Sequence, residues 1–363
     1  FDSVLAQSKL NMLSPRSQAD LVKRLEEKCP SQDWEHIIET ICLETLEVMR
    51  QGEPAAEMWT NEDVAAPKYL LYPFVAEGQP NFLYGPGGSA KSFLALLWGM
   101  ILQLGWPDNP FKWQASIRSY NVLYLDWETT RSEANWRQKC LKTGLDLPDM
   151  CISYRRCSQP VADDIEAIGG IVADFSADII IIDSVAAACG GELNEAQPVL
   201  RFFAALRRLN RTSILVAHTP KALEERTKSI YGSVFFANYG RNNWEVKKTQ
   251  QVGEDEFVVG LFHRKTNLSK LHRPIGLRFQ FAEGSTKISL TDLRETDLSP
   301  DLPLQDRIEQ VLLGSGTLSP GAIAEELGGV TDATVRTYLN RFKDKRFLKG
   351  ADGWGVLEKH NIP

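Results

Sequence analysis

Residues 81–92 read Asn-Phe-Leu-Tyr-Gly-Pro-Gly-Gly-Ser-Ala-Lys-Ser and run directly into an apolar segment, Phe93-Leu94-Ala95-Leu96-Leu97-Trp98. An apolar strand, a glycine-rich loop, Lys-Ser and an apolar helix form the context that a phosphate-binding loop requires. In such a loop Gly85, Pro86, Gly87, Gly88, Ser89 and Ala90 curl so that successive backbone N–H groups point at one centre. The N-terminus of the following helix adds partial positive charge there. Lys91 then bridges the β- and γ-phosphates of ATP, and the Ser92 hydroxyl holds Mg²⁺. Ala90 stands where glycine is usual before the lysine, and its methyl group is expected to fit only at negative φ. The flanking strand and helix weigh against a mere glycine-rich turn.

The 363 residues leave room for two or three domains, and 43% hydrophobic content supplies a core. A net charge of −6 gives no global attraction to nucleic acid, so any such contact must be local. The six cysteines, at 29, 42, 140, 151, 157 and 189, form no Cys-x-x-Cys pair and no zinc-spaced cluster. They read as reduced thiols of a cytoplasmic protein. No apolar run reaches membrane length and no signal peptide is visible. The first residue is Phe1 rather than Met, which leaves a missing upstream domain as an open expectation.

Composition separates four stretches. Residues 1–58 read as helical, with Ser14-Pro15 starting one helix and Ile38, Ile41, Cys42, Leu46 and Met49 spaced along a second. Residues 59–292 alternate strands with helices around the glycine-rich loop. Residues 293–303 are polar with two prolines and read as a linker. Residues 304–363 form a small basic module.

In the middle stretch, Phe82–Tyr84, Val122–Leu125, Ile179–Ile182 and Ser213–Ala217 read as strands of a buried, mostly parallel sheet, an α/β architecture. Each of the last three ends in a polar residue, and parallel sheets bind ligands at their carboxyl ends. Asp183, after four isoleucines, supplies a carboxylate for Mg²⁺; a strand-end Asp capping a helix is the plainer reading. Ser184 follows it rather than Glu, so a water-activating base must come from elsewhere. Glu128, beyond the strand Val122–Leu125, is one candidate. Spacing alone leaves it equally readable as a solvated acid opening the next helix.

The ordered set Gly85–Ser92, Leu-Tyr-Leu-Asp-Trp-Glu at 123–128, Ile-Ile-Ile-Ile-Asp-Ser at 179–184, Val-Ala-His-Thr-Pro-Lys at 216–221, Tyr-Gly-Ser at 231–233, Arg241 and Arg-Lys-Thr-Asn at 264–267 resembles the RecA/DnaB superfamily. Within it the set is most similar to the plasmid RepA-type hexameric helicases. The resemblance spans about residues 66–290 and implies a RecA-like P-loop core. It implies that Glu128 is the catalytic glutamate, at the end of the strand next to the P-loop strand. It implies that His218 is a γ-phosphate sensor, and that cations complete the site from the neighbouring subunit of a ring. Arg264 and Lys265 match the position of those basic fingers, although DnaB-type chains show Lys-x-Arg where this one has Lys265-Thr266-Asn267, so Arg241 is a further candidate. The AAA+ class normally carries Asp-Glu where this chain has Asp183-Ser184, which speaks against that class.

In such rings DNA meets loops facing the central hole. Residues 186–198 carry no cation, whereas 219–231 carry Lys221, Arg226 and Lys228 beside Tyr231 and make the better single-stranded DNA loop. The C-terminal module reads as a winged helix. Ser319-Pro320 starts a helix stopped at Gly328-Gly329, Thr331 caps the next, and residues 345–354 form a two-stranded wing turning at Ala-Asp-Gly. Arg336, Arg341, Lys345, Arg346 and Lys349 concentrate on the second helix and its wing, for double-stranded DNA. A winged helix used for protein contact is the alternative. The sequence therefore predicts a Mg²⁺-ATP-dependent, ring-forming, most simply six-fold DNA motor of a mobile element. Its rivals are a KaiC-like switch or loader that does not unwind, and a DNA-binding regulator with a structural ATP site.

Overall fold

The computed structural model describes residues 10–51, 66–191, 195–219, 234–250 and 253–357, with backbone only for 48–51, 234–235 and 237. The chain divides into two compact units, residues 1–64 and 65–363. The first is a pair of helices, α1 (Pro15–Glu26) and α2 (Trp34–Gln51). Pro15 sits in the first turn of α1 and the Ser14 hydroxyl accepts the Ser17 N–H at 3.4 Å, which satisfies an orphan donor of that turn. Leu25, Ile38 and Cys42 form its small core.

The second unit runs β1 (Tyr69–Tyr72), β2 (Val75–Ala76), β3 (Pro80–Gly85), α3 (Lys91–Leu104), β4 (Gln114–Ala115), β5 (Val122–Asp126), α4 (Arg131–Gly144) and β6 (Ser153–Arg156). It continues through α5 (Ile165–Asp174), β7 (Ile179–Asp183), α6 (Val185–Cys189), α7 (Ala196–Leu209), β8 (Thr212–His218) and α8 (Val234–Tyr239). Then come β9 (Asn242–Thr249), β10 (Glu256–Thr266), β11 (Ile275–Ala282) and β12 (Ser285–Thr291). One nine-stranded sheet takes the order β12-β11-β10-β9-β3-β8-β7-β5-β6. It is parallel from β6 to β9 and antiparallel from β9 to β12.

The apolar runs are continuous because both faces of the parallel half are covered. Along β7, Ile179 and Ile181 join the core under α3 and α4, while Ile180 and Ile182 join the core under α5 to α8. That two-residue alternation fixes which strand-end side chains share a face. Asp126 and Asp183 are register partners at the carboxyl ends of β5 and β7, and His218 is the register partner of Gly85. The antiparallel extension carries Arg264 and Lys265 near the end of β10, and the sequence reading did not resolve it into strands beyond Phe257–His263.

Residues 293–303 hold two 3₁₀ turns, and their Leu293, Leu298 and Leu302 pack with Val258 and Phe262 of β10. Lys247 also pairs with Asp301. This stretch is therefore fastened to the sheet, and its polar composition concealed three anchoring leucines. After it, α9 (Leu304–Ser315), α10 (Pro320–Leu327), α11 (Asp332–Arg341), β13 (Phe347–Lys349) and β14 (Trp354–Val356) enclose Ile308, Ile323, Val335, Leu339, Phe347 and Trp354. Ser319 and Thr331 cap α10 and α11 with their hydroxyls.

A buried histidine ties β9 to β10. His263 stacks on Trp244 with ring centroids 4.3 Å apart, accepts the His272 N–H at Nδ1 and lies 2.8 Å from Asn242 Oδ1 at Nε2. With Nδ1 accepting, Nε2 carries the proton and the ring is neutral. Burial, and after it the nearby His272, lowers its pKa to about 4. The unfolded chain binds a proton there at about pH 6.5. This contribution to stability is therefore full above that pH and is lost as pH falls through about 4. The gap corresponds to about 3 kcal/mol. Thermal midpoints should fall between pH 6.5 and 4, and His263→Gln should flatten that fall; an unchanged pH dependence in the variant would contradict the assignment.

Candidate nucleotide-binding site

The strand β3 ends at Gly85, where an added Cβ would lie 2.3 Å from the Val246 carbonyl oxygen of β9, so only glycine lets the two strands pass. The loop then turns back, with the Ser89 hydroxyl donating to the Pro86 carbonyl at 2.8 Å, and α3 begins at Lys91. Ala90 has φ 65° and ψ 18°. The expectation of negative φ is overturned: the loop keeps the left-handed turn that glycine normally supplies and places an alanine in it. That conformation costs a residue with a Cβ about 1–2 kcal/mol.

Lys91 is buried, and its Nζ donates to the carbonyls of Gly85 at 3.0 Å and Pro86 at 2.6 Å. Burial lowers its pKa to about 8, while Asp183 and Glu128 act in the opposite sense. The ammonium thus occupies the mouth of its own loop and must leave those carbonyls to meet a phosphate.

Around it lies a cavity of about 290 Å³, lined by the loop and by Glu128, Asp183 and His218 from three successive strand ends. Asp183 Oδ2 accepts the Tyr124 hydroxyl at 2.6 Å, whereas Oδ1, also buried, has no hydrogen-bond partner among the described residues. Burial raises the pKa of Asp183, and Ser92 is among the groups that lower it. An orphaned buried carboxylate oxygen beside a Ser hydroxyl is the donor set that Mg²⁺ bound to phosphates takes, so the residues fit that ion. Ser92 and Asp183 would hold it, and it would neutralise charge on the phosphates.

Glu128 is presented by a turn built on Asp126, whose Oδ1 accepts the N–H groups of Glu128 and Thr129, both at 2.9 Å. The Glu128 carboxylate accepts the Ser184 hydroxyl and lies 3.1 Å from His218 Nε2. His218, then Ser184, lower its pKa to about 2 against an opposing desolvation. The strand bearing Glu128 is not beside the P-loop strand, as the resemblance implied. It lies third from it, beyond β8 and β7, and the glutamate reaches the cavity because all these strands end at the same level.

The basic fingers do not meet this cavity. The Arg241 N–H donates to the Pro80 carbonyl, and Lys265 pairs in register with Asn243, itself the partner of Phe82. Both lie at the opposite end of the sheet, on the order of 10 Å from Gly85 along the strands. Lys265 Nζ donates to the Asn238 carbonyl at 3.0 Å. Arg264 is a correction: its guanidinium pairs with buried Glu245, with Nε 2.7 Å from Oε2, which occupies it within its own subunit. Arg346 is a second. Only 12% exposed, it pairs with Asp306 at 2.6 Å and with Glu309, fastening the hairpin to α9 instead of offering a free cation on the wing. Arg336, Arg341, Lys345 and Lys349 are exposed, Arg336 with an ion pair to Asp332. Lys221, Arg226 and Lys228, with Tyr231, lie outside the described residues. The other loop candidate, 186–198, begins as α6, with Ala188 and Cys189 buried.

Sequence reasoning missed Tyr124 and Tyr154, the role of Ser184, and an outer wall of Phe93, Arg137, Phe257 and Phe281. Arg137 lies over the Phe93 ring at 5.9 Å. Lys248 reaches the Gly88 carbonyl at 3.3 Å and lies 4.0 Å over the Phe257 ring. The Tyr-x-Asp spacing on β5 was a usable signal, because i and i+2 share a face.

A family model described as an AAA domain matches residues 48–224, from before β1 to beyond β8. The chain carries a P-loop ATPase domain of RecA-like fold. The matched stretch includes Asp183-Ser184. No curated protein matches the sequence. Among solved structures, a KaiC-like protein from the hyperthermophilic archaeon Pyrococcus horikoshii is similar at 15% identity, covering 66% of this chain and 100% of that one, with a TM-score of 0.42. Among the described residues no helix is long and apolar enough to cross a membrane.

The left-handed Ala90 gives a two-sided expectation. Ala90→Gly relieves about 1–2 kcal/mol of strain and returns about 0.4–1 kcal/mol through the freer unfolded chain, so thermal unfolding should hold or rise slightly. Ala90→Val, β-branched at positive φ, should unfold at lower temperature than the wild type. The reverse order would contradict the loop conformation.

Proposed function

We propose that the chain is a Mg²⁺-ATP-dependent motor that acts on DNA as a ring of identical subunits, in the manner of the RepA-type helicases it resembles. The observation that carries this reading is the division of the charges. Lys91, Asp183, Glu128 and His218 gather at one end of the sheet, while Arg241 and Lys265 stand at the other, out of reach of their own cavity. The site's own cations are the buried Lys91, Arg137 in the outer wall and Lys248 at the Gly88 carbonyl, and the charge that develops on a transferring γ-phosphate draws further cations. Cations at the far end of the sheet can serve a neighbour's site when subunits pack head to tail, and closure of that arrangement is a ring.

Within a subunit, Lys91 exchanges its loop carbonyls for phosphate oxygens, and backbone N–H groups with the start of α3 hold the rest of the chain of phosphates. Glu128 aligns the attacking water and takes its proton as the bond from water to the γ-phosphorus forms and the bond from that phosphorus to the β–γ bridging oxygen breaks, with ADP leaving. His218, 3.1 Å from that carboxylate, exchanges it for the γ-phosphate in this reading. The exposed Arg341, Lys345 and Lys349 support a DNA-facing role for the C-terminal module, weaker than the sequence implied because Arg346 is withdrawn into ion pairs.

Two measurements test this reading. Glu128→Gln should bind ATP as the wild type does and hydrolyse it at least ~100-fold more slowly, the usual scale for loss of a general base. Mixing Lys91→Ala with Lys265→Ala protein at fixed total concentration should recover single-stranded-DNA-stimulated turnover, since some interfaces regain both a P-loop lysine and a finger. No recovery in demonstrably mixed rings would remove Lys265 from a shared site.

A further inference from the structure

Behind the cavity, two tyrosines hold the strand-end carboxylates. Tyr124 of β5 and Tyr154 of β6 are direct cross-strand partners, with ring centroids 6.1 Å apart and planes 25° from parallel. Tyr124 donates to Asp183 Oδ2 at 2.6 Å, and Tyr154 donates to Asp126 Oδ2 at 3.1 Å. Neither ring lines the cavity. They stand one layer back, on the face shared with Asp126 and Asp183 by the two-residue period.

We propose that Tyr124 and Tyr154 form a positioning pair for the ATPase site, Tyr124 orienting Asp183 toward the bound cation and Tyr154 orienting, through Asp126, the turn that presents Glu128. The proposal rests on the nucleotide-site reading above.

The chemistry favours phenols in this place. A buried carboxylate needs donors to remain ionised. A lysine or arginine would supply them, but its positive charge would repel the cation that Asp183 is to hold. A phenol stabilises the anion without adding charge. By taking Oδ2, it leaves Oδ1 as the one oxygen of Asp183 without a partner among the described residues. Cation affinity then depends on the rotation of one carboxylate, which Tyr124 sets. Asp126 differs. It already accepts two backbone N–H groups and the Thr129 hydroxyl, so Tyr154 fixes its orientation instead of sustaining its charge. Loss of Tyr154 should reach the site only through Glu128.

The two phenols therefore predict separable defects. The test uses full-length Tyr124→Phe and Tyr154→Phe, near-isosteric changes whose folding is checked by thermal unfolding, with a fluorescent N-methylanthraniloyl-ADP probe titrated with and without Mg²⁺. Tyr124→Phe should reduce the Mg²⁺-dependent part of probe affinity about tenfold, the scale of one hydrogen bond to a charged group, and leave metal-free affinity unchanged. Tyr154→Phe should leave both affinities unchanged and lower kcat severalfold at constant KM. Equal losses with and without Mg²⁺ in Tyr124→Phe, or no loss at all, would overturn the pair, as would a KM change without a kcat change in Tyr154→Phe. Lys91→Ala separates the two readings: if it binds the probe as tightly as the wild type, the nucleotide site itself is misplaced.

Discussion

A carboxylate at the end of four buried isoleucines is the constraint around which this unit is organised. Asp183 is 2% exposed, and burial alone would drive it toward the neutral form. It is tolerable only where donors and a cation meet it. The fold supplies the donors, Tyr124 from β5 and Ser92 from the start of α3, and Asp183 is left to meet the cation. The same level of the sheet delivers Glu128 and His218, because strands of one parallel sheet in register finish together. A site assembled in this way needs no long loops to bring its groups into contact.

The groups engage one another within the subunit. Lys91 is turned onto carbonyls of its own loop, and Glu128 is engaged by Ser184 and His218. Each engagement satisfies a buried or half-buried charge in place of the triphosphate. Nucleotide binding is therefore an exchange of partners, and its net affinity is the difference between two sets of charge-assisted hydrogen bonds. The low basicity of Glu128 belongs to this arrangement, set first by the His218 contact.

Much of the site was legible because it is local. Gly85–Ser92, Asp183 and His218 each sit at a strand end that the apolar pattern marks. What was hidden depended on pairing across the sheet. Nothing in the string says that β8 and β7 separate β5 from the P-loop strand, that Glu245 captures Arg264, or that Asp306 and Glu309 draw in Arg346. Long basic side chains look alike in sequence whether they face solvent or an acidic neighbour from another element. Ala90 was misjudged for a different reason: residue type carries only a preference for the sign of φ, and the loop's closure decided it. The leucines of 293–303 were visible but outweighed by prolines and charges, and only the β10 surface they cover explains them.

The central claim is that these strand ends form one Mg²⁺-ATP site around Lys91. A structure of the full chain with a non-hydrolysable ATP analogue and Mg²⁺ tests it most directly. The account predicts that Lys91 Nζ leaves the Gly85 and Pro86 carbonyls for the β- and γ-phosphate oxygens, with the cation between Ser92 and Asp183 Oδ1. An analogue bound elsewhere, or Lys91 still on its own loop with triphosphate present, would contradict it.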